Sequence, residues 1–400
     1  MEFDVFWLLS LPLFFALGWL AARHESRSRP MRATLPDAYF RGLNFLLNDQ
    51  SDRAVDAFVD VVRIDPETVE LHFALGKLFR RRGETDRAIR VHQNLLDRSD
   101  IDSSLREQAL YELAQDFLKA GLLDRADRAF ERLAAGTYAA QALRHRIEIA
   151  ETMRDWVRAI DLSVAMATAD RQEADCIRLA HFHCELAAQS IAEGSAEAYE
   201  LAQHRIRQAE QALALGPSSP RQHPRILALR GDIAWSQSRD AEAIEAWSEL
   251  LAVAPDHFNL VVLRWVDAHR RSGKLTQALD TLQMQWERRP SAELFLQLFN
   301  ARTGDEPARD IGEWAVSALA RSASLAGLAR LLAWRMESAP QECSEELRLA
   351  QKLLAEQAAQ QSRHLCSNCG FRARQYYWQC PGCAKWDSIS PLRAEDSKRP

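Results

Sequence analysis

The chain has 400 residues, 47% hydrophobic and 27% charged, with a formal net charge of −5. That length exceeds what one compact core covers, so several units or an extended repeat array are expected. The acidic balance argues against a general nucleic-acid binder, and the composition is ordinary for a folded chain.

An uncharged run of eighteen residues, Val5 to Ala22, stands near the start and is rich in Leu, Phe and Trp. As a helix it would span about 27 Å, close to the roughly 30 Å hydrocarbon layer of a bilayer. Trp7 and Trp19 fall near its ends, where interfacial aromatics belong, and Pro12 is tolerated in a membrane helix. A cleaved signal peptide needs a positive start, whereas Glu2 and Asp4 stand there and Arg23, Arg27, Arg29 and Arg32 come afterwards. We therefore expect an uncleaved single-pass anchor over residues 1–22, with the bulk of the chain on the cytoplasmic side. A Pro- and Arg-rich linker over 23–34 follows.

From 35 to 361 the pattern is helical with short turns, and strand-like alternation is nearly absent. A recurrence near 34 residues runs through it, as in Gly42 and Gly76 or Ala54 and Ala88. Units from Leu35, Val69, Glu107, Pro224 and Phe258 or Asn259 repeat small and large residues at tetratricopeptide offsets. Examples are Leu75-Gly76, Phe79, Gly83 and Ala88, then Leu113-Ala114, Phe117, Gly121, Ala126 and Phe130, and later Gly231, Ala243, Trp247, Gly273 and Ala278. The register is atypical at 140–220 and after 291. Ala159-Ile160 suits a fourth repeat, Asp175 to Pro217 a fifth with a longer second helix, and Ser291 to Gln361 resembles capping repeats. The expected fold class is all-α, a tetratricopeptide-repeat superhelix of roughly eight or nine helical hairpins.

Such an array has no inherent chemistry. It offers a concave surface lined by the first helix of each pair. Ideal geometry turns Phe73, Lys77, Arg80 and Arg81 inward in one unit, Tyr111, Gln115, Leu118 and Lys119 in the next, and Asp267, Arg270 and Arg271 in a later one. Aromatic and basic side chains in one groove suit a peptide or protein ligand of acidic character. A solvated charged face is an equally good account of any one of them.

The sharpest chemical signal is Cys366-Ser-Asn-Cys369, ten intervening residues, then Cys380-Pro-Gly-Cys383. Two C-x-x-C knuckles this close can complete a tetrahedron of thiolates around one metal ion, Zn²⁺ or Fe, with no position left open for substrate. Residues 362–393 are thus expected to form a small rubredoxin-like module, followed by a tail over 394–400. From Arg363 to Pro400 seven Lys/Arg face three Asp/Glu, a balance of +4 that leaves −9 for the rest. That basic tail suits an acidic partner, nucleic acid or anionic lipid, or it offsets the negative charge of four thiolates. Cys176, Cys184 and Cys343 show no pairing pattern, which points to a reducing compartment.

Other chemistry is weakly signalled. His181 and His183 lie two apart, on different sides of a helix, and are poorly placed to share an ion; Cys184 reads as buried packing. The His183-Cys-Glu185 triplet resembles the H-x-E half of zinc deaminases, but those need a His ligand and an open coordination site, whereas four thiolates already satisfy the metal expected here. No phosphate-binding glycine loop or nucleophile elbow occurs. Arg372, Arg374, Lys385 and Tyr376-Tyr-Trp378 leave a zinc-ribbon nucleic-acid module as an alternative, although those aromatics are expected to pack over the metal. An iron-bearing, rubredoxin-type electron carrier is the other alternative.

The order of parts closely resembles the lipopolysaccharide assembly protein B family of Gram-negative bacteria. The likeness is strongest at Gly42-Leu-Asn-Phe-Leu-Leu-Asn48, Ala54-Val-Asp56, Gly76-Lys-Leu-Phe79-Arg80, Arg82 through Ile89, Ala180-His-Phe-His-Cys-Glu-Leu-Ala187, and Cys366 to Trp386. The resemblance implies a non-enzymatic adaptor of the bacterial inner membrane that restrains lipopolysaccharide synthesis. Implied protein partners are a membrane AAA+ zinc protease, the cytoplasmic deacetylase that it degrades and that commits precursors to lipid A, and a lipopolysaccharide-sensing inner-membrane protein. Nucleic acid is not implied, and a homo-oligomer is left open. The resemblance also implies that the metal module docks on the repeats and that both are needed. Residue by residue, it carries over Cys366, Cys369, Cys380 and Cys383.

Overall fold

The computed structural model describes residues 69–166, 171–216, 223–303, 308–338, 344–361 and 363–393, together with Trp19, Asn44, Phe45 and Arg53. The expected anchor (Trp19 aside), the linker, most of the first repeat unit and the tail 394–400 lie outside the described residues. Among the described residues no helix is long and apolar enough to cross a membrane.

The chain divides into two compact units, residues 1–145 and 146–400. In the first, α1 (Val69–Arg81), α2 (Thr85–Asp97), α3 (Ser103–Lys119) and α4 (Leu123–Glu131) pack each against its successor. The helix α5 (Ala139–Thr152) carries the division between the units. The second unit continues with α6 (Trp156–Ala165), α7 (Glu173–Glu193), α8 (Ala196–Ala214), α9 (Pro224–Ser236) and α10 (Asp240–Val253). Then come the single turn α11 (Pro255–Phe258), α12 (Val262–Arg271), α13 (Leu275–Arg288), α14 (Ala292–Arg302), α15 (Ala308–Arg321), α16 (Leu325–Ser338) and α17 (Glu345–Gln360). The result is an all-helical, tetratricopeptide-like array of helix pairs ending in a four-cysteine module.

The repeat offsets have direct physical meaning. Ala88, Ala126, Ala159, Ala243 and Ala278 are completely buried, at the points where helices touch. At Gly231 a Cβ would overlap the Trp247 indole, which is fully buried and donates Nε1–H to the Ala228 carbonyl at 3.2 Å. Fully buried Phe130, Phe182, Phe258, Phe295 and Phe299 fill the spaces between, each stabilising by about 1.5–3 kcal/mol. Paired helices close through one turn geometry. A residue with positive φ ends the first helix, and the next N–H bonds to the carbonyl five residues back. This holds at Glu84→Phe79 (2.9 Å), Leu122→Phe117 (2.9 Å) and Lys274→His269 (2.8 Å), after Gly83, Gly121 and Gly273. It also holds at Asp155→Ala150 (2.9 Å) and Arg239→Ala234 (2.8 Å), where Arg154 (φ 57°) and Ser238 (φ 56°) occupy the left-handed position.

The irregular middle has a different cause. Helices α7 and α8 run to 21 and 19 residues, so this hairpin alone exceeds a 34-residue period. A reciprocal cap fixes its start, with the Gln172 and Asp175 side chains each bonding to the other's backbone N–H. At the end of the chain β1 (His364–Leu365) pairs antiparallel with β2 (Arg372–Ala373). The core of this module is small: Cys366, Cys380 and Ile389, with Tyr376, Tyr377 and Cys383 against them.

Candidate metal centre and its docking face

The four cysteines of the two knuckles converge. Their sulfurs lie within 4.8 Å of one another, with Cys366 and Cys383 at 3.8 Å and Cys369 and Cys380 at 3.7 Å. A tetrahedron with metal–sulfur bonds of about 2.3 Å has an edge of about 3.8 Å, so the cradle has the size of a thiolate-bound metal ion. The charge balance agrees. At Cys366 burial opposes ionisation, but the Ser388 hydroxyl and the amides of Cys369 and Asn368 outweigh it and bring the thiol down to about 6. The Lys385 amide, with Asn368, draws Cys383 down as well. Burial pushes Cys380 up. At Cys369 the Phe371 amide favours the thiolate, but desolvation and the neighbouring sulfurs push the thiol up to about 12. Four thiolates cannot coexist here without a cation, and one central ion removes the conflict. The site fits one metal ion held by Cys366, Cys369, Cys380 and Cys383. Its closed coordination supplies structure and leaves no position for a reactant.

The module seats against the repeats of its own unit through side chains that follow the knuckles. Trp386 stacks on His181 (centroids 4.3 Å, interplanar 14°), and Trp378 stacks on His257 (5.4 Å, 7°). The Arg225 guanidinium lies 5.6 Å from the ring centroids of both tryptophans and pairs with Glu185 at 2.7 Å. Buried Glu151 accepts from Trp386 Nε1 (2.5 Å) and Gln379 Nε2 (2.7 Å), and is also paired with Arg178. Further along, Arg393 donates to Glu293 Oε1 at 2.5 Å.

At the centre of the interface, Asp387 Oδ2 lies 2.9 Å from His181 Nε2 and 3.2 Å from His223 Nε2. These three atoms are close enough together to hold a metal ion. The surrounding hydrogen bonds assign them another role. The Arg225 guanidinium donates to His181 Nδ1 (3.2 Å), and the Arg225 backbone N–H donates to His223 Nδ1 (3.3 Å). Each Nδ1 is therefore an acceptor, so each Nε2 carries a proton and donates it to Asp387. Burial, reinforced by Arg225 and His223, holds His181 down at about 4 despite the Asp387 carboxylate. Burial opposes ionisation of Asp387, but the two imidazole N–H bonds outweigh it and hold its carboxyl well below the usual range. The trio is a neutral–anionic latch between repeats and module.

Several of these residues went unflagged in the sequence reading. His223 and His257 are 34 apart, one repeat period, which is the signal that successive repeats present an imidazole to the same face. His181 stood inside the segment Ala180 to Ala187 that carries the family likeness, yet its partners are His223 and Asp387, not His183. Cys184 is buried packing, its thiol pushed by burial up to about 12. Of the aromatic trio, Tyr376 and Tyr377 pack in the module core as expected. Trp378 instead leaves the module for the repeats.

The residues expected in the groove separate. Phe73 is corrected to a core residue: it is 5% exposed and packs with Leu95 and Ala109 between helices. Lys77 and Arg80 come together on buried Glu112 (2.9 and 2.6 Å), and Arg80 also reaches Asp116 (2.8 Å), which receives buried His92 as well. Arg80 is thereby corrected to an inter-repeat strut, its charge matched internally. Arg81 and Lys119 are exposed, and half-buried Tyr111 stacks on Tyr138 (4.5 Å) with Gln115 bonded to it. In the other unit Asp267 accepts from Trp235 Nε1 (3.2 Å). Arg271 lies over that indole and pairs with Asp240 (2.5 Å), and exposed Arg270 stands 3.7 Å from Asp267.

Fold and site together define a helical-repeat protein that carries a closed, rubredoxin-type four-thiolate centre clasped to its own repeats. Residues 364–391 match the family model described as the rubredoxin metal binding domain. The whole chain is similar to lipopolysaccharide assembly protein B: it is 29% identical over 395 residues to that of Escherichia coli strain K12, covering 97% of this chain and 98% of the relative. With the Haemophilus influenzae protein of the same name it is 27% identical over 407 residues, at the same coverages. Among solved structures, the C-terminal part of a repeat-containing protein from Cytophaga hutchinsonii is 11% identical, spans 60% of this chain and 93% of that one, and has a TM-score of 0.42. The resemblance read from the sequence thus extends over 97% of the chain and includes the metal-binding module.

Proposed function

We propose that this chain is a non-enzymatic adaptor of the bacterial inner membrane that regulates lipopolysaccharide assembly. In this reading it promotes degradation of the lipid A-committing deacetylase by a membrane AAA+ protease, and a lipopolysaccharide-sensing membrane protein counteracts it. The observation that carries the reading is similarity to lipopolysaccharide assembly protein B over 97% of the chain, the cysteine module included. The closed metal site supports an adaptor over a catalyst, since all four coordination positions are thiolates. Tethering by residues 1–22 would confine the adaptor to the layer that holds its protease, raising effective concentration without a strong binary interface.

Within the repeats, Arg81, Tyr111, Gln115 and Lys119 are proposed to contact the deacetylase or protease, with Lys77 at the edge of that face. Asp267, Arg270 and Arg271 form a separate proposed contact. The deciding experiment depletes the protein and follows deacetylase half-life in cells. Prolongation supports the adaptor reading, and an unchanged half-life refutes it whatever the fold.

A further inference from the structure

The metal module has a second face, on its β1–β2 hairpin, whose exposed cations make no ion pair with the repeats among the described residues. In the β1–β2 hairpin His364 lies opposite Ala373 and Leu365 opposite Arg372, so side chains alternate between two sides. His364 and Ala373 point inward and are buried. Half-buried Leu365 and Arg372 lie on the other side, Arg363 and Arg374 flank the two strands, and all three arginines are exposed. Phe371, 37% exposed, stands beside them at the mouth of the first knuckle. No side-chain ion pair or hydrogen bond engages these three guanidiniums among the described residues. That sets them apart from Arg80, Arg178, Arg225, Arg271 and Arg393, each matched to a carboxylate.

We propose that this hairpin face is a membrane-contact surface that takes anionic phospholipid headgroups. The inference rests on the inner-membrane reading above. Three free guanidiniums around a half-buried Leu and an exposed Phe have the composition of an interfacial surface, cations for headgroups and apolar groups for the acyl boundary. Strands of two residues are too short an edge to add a peptide strand. The charge distribution then orients the protein, because an anionic bilayer attracts the terminal segment, whose side-chain balance of +4 stays positive at about +2 once four thiolates and a divalent ion are counted, and repels the −9 remainder. Each basic residue near such a surface contributes roughly fivefold in affinity, so three together reach on the order of a hundredfold.

The test uses the full-length, metal-loaded chain in nanodiscs of phosphatidylcholine alone or enriched in phosphatidylglycerol. Phenylglyoxal modification of Arg363, Arg372 and Arg374 is followed by mass spectrometry, with exposed Arg270 as reference. The expected result is labelling slowed on the order of tenfold in anionic discs only, at all three positions, with the protection reversed by high salt. Equal rates in both lipids overturn the proposal. So does protection that appears only on adding a soluble acidic protein, which would make the face a protein-docking surface. A chain that fails to stay with either disc contradicts the inner-membrane reading itself, a separately visible failure. The triple change R363Q/R372Q/R374Q should abolish lipid-dependent hydrogen-exchange protection of the hairpin while keeping the metal. Loss of metal in that variant would assign the arginines to charge compensation of the thiolates and overturn the lipid role.

Discussion

Asp387 accepts from two imidazoles on one carboxylate oxygen while its own backbone holds a positive φ of 51°. Aspartate tolerates that conformation better than most side chains, so the position suits both demands. Replacing Asp387 by Ala leaves two buried N–H donors unpaired and should weaken docking by about 2 kcal/mol, the usual worth of a lost charge-assisted bond. Faster hydrogen exchange in the segment 374–389, with the four cysteines still metal-bound, is the expected observation. Acid should act through His181. Its proton is bound near 6.5 in the free imidazole and only near 4 when docked. Between these values the unfolded chain carries the extra proton, so stability rises with pH across that window. The contribution is complete above about 6.5 and disappears as pH falls toward 4, a span worth about 3 kcal/mol. Comparing urea midpoints at neutral and mildly acidic pH for wild type and His181→Asn tests this, since the variant should show a flatter dependence. A third residue-scale expectation concerns Ser238, which occupies a position that costs a non-glycine residue about 1–2 kcal/mol. Ser238→Gly should therefore stabilise the fold by up to about 1 kcal/mol after the greater unfolded-state entropy of glycine is subtracted, seen as a higher urea midpoint.

At the scale of elements, the metal module is too small to stand on Cys366, Cys380 and Ile389 alone, and metal binding substitutes for the missing core. Cys366→Ser or Cys383→Ser should eliminate metal binding, unfold residues 363–393 and abolish adaptor function, while the far-ultraviolet signal of the helices stays largely intact. A variant without metal whose module amides remain protected would contradict this account. The repeat hairpins were legible from the sequence wherever glycine ends the first helix, as at Gly83, Gly121 and Gly273. The hairpin whose turn uses Arg154 was obscure, because nothing in that residue type announces a positive φ, whereas the one that turns at Ser238 was legible only through Gly231, Ala243 and Trp247. The extra length of α7 and α8 hid the period a second time, since extended helices displace every later landmark.

For the whole molecule, the proposed adaptor role joins three parts with different chemistry: an anchor, a repeat surface and a metal clasp. If Arg81 and Lys119 contribute to partner recognition, R81E/K119E should lengthen deacetylase half-life severalfold while leaving helicity and metal content unchanged. Unaltered turnover together with unaltered partner capture would remove these residues from the interface. Lys77 and Arg80 make a useful contrast, because reversing Arg80 also strands buried Glu112 and Asp116. Its loss should lower stability by about 3–5 kcal/mol and confound any binding measurement.

The sequence by itself determined the class of this protein, because periodic small residues dictate paired helices and two C-x-x-C knuckles dictate a closed thiolate site. Those are local rules of spacing, and spacing is what a sequence states directly. Only the tertiary structure decided that Trp378, Trp386 and Asp387 serve the repeats, that His181, His223 and His257 form their seat, and that Arg80 is a strut. Such roles depend on residues 30 to more than 200 positions apart meeting in space. No periodicity specifies which cation finds a carboxylate and which, like Arg372 and Arg374, is left facing outward.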